Sequence, residues 1–97
     1  MTHKLKTWPV YFQQVRFRTK TFEVRRDDRT PPYAEGDALF LREWNPVTSR
    51  YTGDALLVGV TLVVRGDPMP AGYCAMQIVV LHEFCDPYPE DHRGRDD

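Results

Sequence analysis

Two long apolar segments constrain the fold of this chain more than any other feature. The first is ALLVGVTLVV at residues 55–64, and the second is YCAMQIVVLHEF at residues 73–84. Both are rich in β-branched residues and only the loop RGDPMPAG separates them, so each predicts a long strand. Gly59 predicts a bulge or a tight bend in the first strand. In the second strand, alternation places four side chains on one face: Cys74, Met76, Ile78 and Val80.

The rest of the chain predicts one helix and further strands. An extended lead-in is expected at residues 3–6, a strand at 38–44 and a turn-rich hairpin connection at 45–53. One helix followed by four or more strands predicts an α+β, mainly β fold. A small barrel would hide the edges of these apolar strands. We predict one domain over residues 1–85, followed by a polar, disordered tail at 86–97.

The helix is predicted from the spacing of large apolar residues near the N-terminus. They recur at i, i+3, i+4 and i+7: Trp8, Tyr11, Phe12 and Val15. This spacing puts them on one side of a helix, which we predict faces the core. Thr7 is the predicted N-cap, Pro9 is tolerated in the first turn, and the helix is predicted to end near Arg18.

The ionic side chains are unevenly distributed, although the net charge is only −1. Residues 1–29 carry eight Lys or Arg and three Asp or Glu, a net charge of +5. Residues 30–85 and 86–97 each carry a net charge of −3. A basic N-terminal third favours a local anion-binding face. The alternative is that this face pairs with the acidic remainder of the same molecule.

Several classes of protein and site are not expected from this composition. There is no run of eighteen apolar residues, and the basic N-terminus leads into no apolar signal region, which favours a cytoplasmic protein. Cys74 and Cys85 have no CxxC spacing and are interpreted as reduced thiols. The histidines have no ligand-like spacing with these cysteines, so no metal site and no cofactor are predicted.

A charged strand follows the helix. Alternation over TFEVR predicts that Phe22 and Val24 are buried, while Glu23 and Arg25 project together from the opposite face, about 7 Å apart. Lys20 stands at the strand entrance. Such a cluster can hold a polar ligand, because Arg donates through a planar fork and a carboxylate accepts from N–H groups. The alternative is an ordinary surface ion pair, worth about 0–1 kcal/mol.

The segment RTKTFEVR resembles the signature of ASCH domains, members of the PUA-like superfamily, which runs Gly-x-Lys-x-x-Glu-x-Arg. Lys20, Glu23 and Arg25 match this signature, and Arg18 stands in place of its glycine. The other matching motifs are typical of a branch of uncharacterised phage and bacterial ASCH-like proteins. They are His3, Leu5 and Lys6; Pro9, Tyr11 and Phe12; Asp27, Asp28 and Arg29; Gly36 and Asp37; and Leu41, Arg42, Glu43 and Trp44. Asp27 replaces the asparagine usual in that branch.

The resemblance implies a small PUA-like β-barrel with a cleft between sheet and helix, and a role in binding RNA or a modified nucleoside. Lys6, Lys20 and Arg25 would then meet phosphate or carbonyl oxygens, and Glu23 would accept from a base amino group. Three further residues are expected near the ligand: His3, Arg29 and Trp44. Each of them has an alternative: Trp44 is equally compatible with the core, Arg29 with bracing of its own loop, and His3 with a solvated position near the N-terminus.

Two other functions stay open at this point. Some ASCH proteins are amidohydrolases that act on N4-acetylated cytidine through a lysine, a threonine three residues later and a downstream glutamate. Lys20 matches the lysine, but Glu23 occupies the threonine position, with Thr21 and Glu43 as weaker catalytic candidates. An acid beside the lysine favours its charged form, which weighs against a lysine base. The second alternative is a phage or host protein-interaction module, so the sequence does not decide whether the protein is an enzyme.

Overall fold

The computed structural model describes residues 1–85 and shows a mainly β fold with one short helix. The predicted tail at 86–97 lies outside the described residues. Five strands and the helix follow one another along the chain: β1 (Thr2–Thr7), α1 (Pro9–Arg16), β2 (Phe22–Arg26), β3 (Ala38–Asn45), β4 (Arg50–Val64) and β5 (Tyr73–Cys85). The predicted α+β class is therefore confirmed, and β4 begins earlier than expected, inside the segment assigned to a hairpin connection.

All five strands form one curled sheet in the order β1-β3-β4-β5-β2. β1 runs parallel to β3, and every other pair is antiparallel. The long β4–β5 hairpin occupies the centre, as the two apolar segments require. Two register shifts interrupt it, where β5 has an extra residue at Leu81 and β4 an extra residue at Thr61. Gly59 lies between these bulges and is itself paired, and a Cβ there would meet the Leu81 side chain at 3.3 Å.

The sheet is a half-barrel, so the prediction of a small barrel is correct only for its curvature. β1 and β2 form the two edges, and they do not pair with each other. Arginine side chains cross the gap instead. Arg25 Nη1 donates to the Lys6 carbonyl and Arg29 Nη2 donates to the Lys4 carbonyl, each at 3.2 Å. These bonds satisfy carbonyl groups on the free edge of β1 that a neighbouring strand would otherwise bind.

The core fills the inside of the curled sheet. Its largest fully buried side chains include Phe12 and Val15 from α1, Leu39 and Leu41 from β3, and Met76 from β5. The predicted inward face of β5 is confirmed, with Cys74, Met76 and Ile78 buried and Val80 packed against the core. Within residues 1–85, no helix is both long and apolar enough to cross a membrane.

The helix packs on the core through a narrower face than its spacing predicts. Phe12 and Val15 are buried, but Trp8 and Tyr11 are each about half exposed, so their assignment to the core is wrong. Thr7 is also not the N-cap. Trp8 occupies that position without a side-chain cap bond, and Thr7 is instead the last residue of β1, with Pro9 at the start of the helix as predicted.

The helix ends with a left-handed residue that is not glycine. α1 stops at Arg16, slightly before the predicted end, and Arg18 has a φ of +63°. The chain therefore makes the turn with the left-handed geometry that the ASCH glycine would favour. The Thr19 and Lys20 amides then both donate to the Gln14 carbonyl at 3.0 Å, which places Lys20 at the start of β2.

Arg18→Gly is therefore expected to stabilise the protein by about 1 kcal/mol, because glycine adopts positive φ without the steric cost paid by other residues. The loss of the ion pair between Arg18 and Glu83 is a small opposing effect, since both side chains are about half exposed. Urea denaturation measures the change, with Arg18→Ala as the control. Arg18→Ala loses the same ion pair but keeps the backbone strain, so a gain in both variants would contradict this explanation.

Candidate functional site

An open cleft of about 820 Å³ lies between α1 and the β2 edge of the sheet. Its lining comes from the end of β1, from α1 and the turn that follows it, and from four consecutive residues of β2. The lining residues are Lys6, Thr7, Trp8, Tyr11, Gln14, Thr19, Lys20, Phe22, Glu23, Val24 and Arg25. They include three cations and one carboxylate, a net formal charge of +2.

The predicted Lys20, Glu23 and Arg25 group is assembled in this cleft. Lys20 Nζ donates to Glu23 Oε1 at 3.2 Å, and Arg25 Nε donates to Glu23 Oε2 at 3.0 Å. Glu23 is only 2% exposed, whereas both cations keep part of their surface open. Both carboxylate oxygens thus have a cationic donor, and the buried Glu23 fixes the positions of two cations at the cleft.

The polarity of β2 is opposite to the prediction. Phe22 is 51% exposed and Val24 is 48% exposed, while Glu23 on the alternate face is buried. The predicted alternation along β2 is therefore confirmed, but the prediction that Phe22 and Val24 form its buried face is wrong. The buried carboxylate is tolerated because Lys20 and Arg25 compensate its charge.

Three aromatic rings add an apolar wall to the cleft. Trp8 and Tyr11 contribute from the helix side, and Phe22 contributes from β2. The Lys20 ammonium lies 5.1 Å from the Tyr11 ring centroid and 5.6 Å from that of Phe22, within the range of cation–π attraction. The site thus combines half-exposed ring faces with cations held in fixed positions.

Arg25 connects the cleft to the gap between β1 and β2. Besides Glu23 and the Lys6 carbonyl, it bonds the Thr7 hydroxyl through Nη2 at 3.2 Å. One guanidinium therefore joins the buried carboxylate to the end of β1. The sequence does not indicate Thr7 as a site residue, because a threonine two residues before Pro9 is also typical of a helix N-cap.

Lys6 and Trp44 lie next to each other, but only Lys6 lines the cleft. The Lys6 ammonium is 4.1 Å from the Trp44 ring centroid, and the Trp44 ring contacts that of Tyr51 edge-on at 4.9 Å. Arg42 stacks on the other ring of this pair, 3.8 Å from the Tyr51 centroid. Trp44 is partly exposed and lies outside the core cluster. Together with Lys6, Tyr51 and Arg42 it forms a row of alternating contacts between cations and rings, and this row reaches the cleft through Lys6.

His3 is buried away from the cleft lining. Its Nε2 is hydrogen-bonded to Asp37 Oδ2 at 2.9 Å, and its ring lies 4.7 Å from that of Tyr33. The Arg29 guanidinium also lies over the Tyr33 ring, 5.6 Å from its centroid, and Arg29 does not line the cleft. Burial raises the pKa of the Tyr33 hydroxyl. His3 and Arg29 therefore support the β1 edge, and the structure does not bring them to the cleft with Lys20.

Asp37 is expected to contribute to stability in a pH-dependent manner. The His3 hydrogen bond, together with the N-terminal ammonium and the Ala34 amide, holds the pKa of this carboxyl below its ordinary value of 3.8. A lowered folded-state pKa stabilises the fold above the unfolded value, and this contribution disappears as the pH falls through the folded value.

The free energy of unfolding of Asp37→Asn should therefore lie about 1–2 kcal/mol below that of the wild type at pH 7. The difference should shrink once the pH falls below about 4. Urea denaturation at several pH values measures it. A difference that stays constant down to pH 2.5 would show that the charge of Asp37 is not what stabilises this corner.

The weaker catalytic candidates are not in the cleft. Glu43 is buried beneath α1, where Gln13 Nε2 donates to it at 3.0 Å and the Thr52 hydroxyl donates at 2.7 Å. Thr21 is exposed and does not line the cleft, whereas Thr19 does. The Thr19 hydroxyl donates to the Gln14 carbonyl at 3.0 Å, so it closes the turn after the helix.

The cysteines and acidic residues show no metal-binding arrangement among residues 1–85, where no group of three or more His, Cys, Asp or Glu side chains is placed to hold an ion. Cys74 is buried and Cys85 is exposed. Burial raises the pKa of the Cys74 thiol, which keeps it protonated and unreactive.

Comparison with protein families identifies a match along most of the chain. The model of the family described as Domain of unknown function (DUF3850) matches residues 2–78. This chain belongs to the DUF3850 family. The comparison with curated proteins gives no match. The DUF3850 match includes every residue that lines the cleft, and it ends within β5.

Proposed function

We propose that this DUF3850 protein binds RNA or a modified nucleoside in the cleft between α1 and β2. The observation that carries the proposal is the joint presence of partly exposed cations and half-exposed aromatic rings on the same cleft. Single-stranded nucleic acids need both, because cations position phosphates and ring faces stack with bases. The resemblance of Lys20, Glu23 and Arg25 to the ASCH signature supports the same ligand class and a PUA-like origin for the fold.

The roles of the ionic residues follow from their exposure. Lys6, Lys20 and Arg25 keep accessible surface and can donate to phosphate or carbonyl oxygens. The expected role of Glu23 as an acceptor for a base amino group needs revision, because both its oxygens are engaged and it is almost fully buried. Glu23 instead acts as a positioning residue that holds Lys20 and Arg25 at the cleft.

Salt dependence of RNA binding tests the proposal. A six-nucleotide single-stranded RNA of mixed sequence should bind the full 97-residue chain, with log K falling against log salt at a slope of about −1.4 to −2 for two or three neutralised phosphates. Lys20→Ala should bind about tenfold more weakly at low salt, with a slope smaller by about 0.7. Lys4→Ala is the matched control, since Lys4 is exposed on β1 outside the cleft. Equal loss in both variants, or no binding by the wild type, would contradict the proposal.

The amidohydrolase alternative receives less support from this arrangement. A lysine base must accept a proton from its substrate, but Lys20 Nζ already donates to Glu23 Oε1 at 3.2 Å. The hydroxyl and carboxylate candidates, Thr21 and Glu43, lie elsewhere. Incubation with N4-acetylcytidine should therefore give no turnover, and turnover that Lys20→Ala abolishes would replace the binding proposal with an enzymatic one.

A further inference from the structure

Within residues 1–85, no strand pairs with the side of β2 that faces away from β5, and the hydrogen bonds beside it show which residues form this free edge. The Thr21 carbonyl accepts from the Ile78 amide at 3.0 Å, and the Asp27 amide donates to the Gly72 carbonyl at 2.8 Å. In an antiparallel pair, alternate residues direct both backbone groups to the partner strand. Residues 21, 23, 25 and 27 therefore face β5, so the N–H and C=O groups of Phe22, Val24 and Arg26 point away from it.

This edge opens into the cleft. The cleft is lined by four consecutive residues, Phe22 to Arg25, whereas a cleft over one face of a strand would be lined by alternate residues. It therefore runs along the edge. Towards the other end of β2, the bonds from Arg25 and Arg29 to β1 close the gap. The accessible part of the edge is consequently the backbone of Phe22 and Val24.

The free edge of β2 offers a hydrogen-bond donor and an acceptor side by side, which the side chains of Lys20, Glu23 and Arg25 do not. Lys20 and Arg25 can only donate hydrogen bonds, and Glu23 is already satisfied. A strand residue on the free edge offers one donor and one acceptor on the same side. The Watson–Crick edge of a nucleobase likewise presents a donor beside an acceptor, so it can form two hydrogen bonds with such a residue.

We propose that the free backbone edge of β2, centred on Val24, reads the Watson–Crick edge of a single unpaired nucleobase. The base continues the plane of the sheet as an added strand does, and its faces meet the rings of Tyr11, Trp8 or Phe22. This inference rests on the proposed function and adds the specificity element to it. An extended peptide is the other ligand that adds to a strand edge. The base is favoured because three half-exposed rings and three cations surround this edge.

Amide hydrogen exchange followed by NMR tests the inference on the wild-type chain. Without ligand, the amides of Glu23 and Arg25 should be protected by β5, and those of Phe22 and Val24 should exchange rapidly. AMP or CMP at saturating concentration should slow exchange at Val24 by tenfold or more. N1-methyl-AMP and N3-methyl-CMP, whose Watson–Crick edges are blocked, should bind at least tenfold more weakly than their parent nucleotides.

Val24→Pro provides the mutational test, because proline removes an N–H group that β5 does not use, and edge strands tolerate this. Val24→Ala is the matched control, since it shortens the side chain but keeps the N–H group. Nucleotide binding should be about tenfold weaker in Val24→Pro than in Val24→Ala, because only the proline also removes the N–H group; any loss that both variants share comes from the side chain. The exchange measurement decides the question if Val24→Pro does not fold.

Three results would overturn the inference. If nucleotides bind with unchanged exchange at Val24 and equal affinity for the blocked bases, the proposed function stands and the backbone edge is not the reader. If no nucleotide or RNA binds, both proposals fail. If instead a Glu-Val-Glu-Val-Glu-Val peptide binds and protects the Phe22 and Val24 amides, the edge is a peptide site.

Discussion

Glu23→Ala is expected to lower the free energy of unfolding by about 2–3 kcal/mol, a large effect for one residue of an edge strand in a domain of this size. The carboxylate is 2% exposed and accepts from both Lys20 and Arg25. Its removal leaves two partly buried cations with no anion between them. The loss is smaller than for a fully buried pair, because the Lys20 and Arg25 side chains are 17% and 23% exposed and can gain hydration. Urea denaturation at pH 7 measures the change.

Glu83→Ala is the matched control for this prediction. Glu83 also meets two arginines, Arg16 at 3.6 Å and Arg18 at 3.4 Å, but its side chain is 47% exposed. Such pairs contribute at most about 1 kcal/mol. Glu23→Gln should fall between the two, since an amide keeps one acceptor but loses the charge. If Glu23→Ala and Glu83→Ala destabilise the protein equally, the buried carboxylate is not what holds the cleft residues together.

The strands show how far local patterns determine this fold. β-branched content located β4 and β5, and alternation identified the inward face of β5, because a central strand must bury one complete face. The same alternation in β2 correctly grouped Glu23 with Arg25 but assigned the apolar side chains to the core. In β2, at the edge of the open sheet, the rule that the apolar face of a strand is the buried one does not hold. The buried residue is Glu23, whose carboxylate has two cationic partners.

The candidate site was predicted in part for a similar reason. Short spacing along the chain brings Lys20, Glu23 and Arg25 together, so sequence alone could group them. The bonds from Arg25 to the Lys6 carbonyl and from Arg29 to the Lys4 carbonyl join residues 19 and 25 positions apart, and no local pattern indicates them. They depend on a sheet that curls without closing, which the strand pattern does not specify.

The two aromatic residues at positions 11 and 12 should give opposite results when each is replaced by alanine. Phe12 is fully buried in the core cluster, so Phe12→Ala is expected to cost about 3–5 kcal/mol of unfolding free energy. Tyr11 is half exposed and lines the cleft, so Tyr11→Ala should cost less than about 1 kcal/mol. Adjacent residues lie about 100° apart around a helix, so the two rings cannot point in the same direction.

For RNA binding we expect the larger effect from Tyr11→Ala, the variant with the smaller effect on stability. Tyr11→Ala should weaken binding of the six-nucleotide RNA by about tenfold, because a base loses a stacking surface worth about 1–3 kcal/mol. Urea denaturation and RNA titration on the same preparations separate the two effects. Equal loss of stability in both variants would restore the face that the spacing of Trp8, Tyr11, Phe12 and Val15 predicts. If Tyr11→Ala instead changes neither the stability nor the RNA affinity, the aromatic wall has no role in binding. Removal of a ring that contacts a base must weaken the binding of that base.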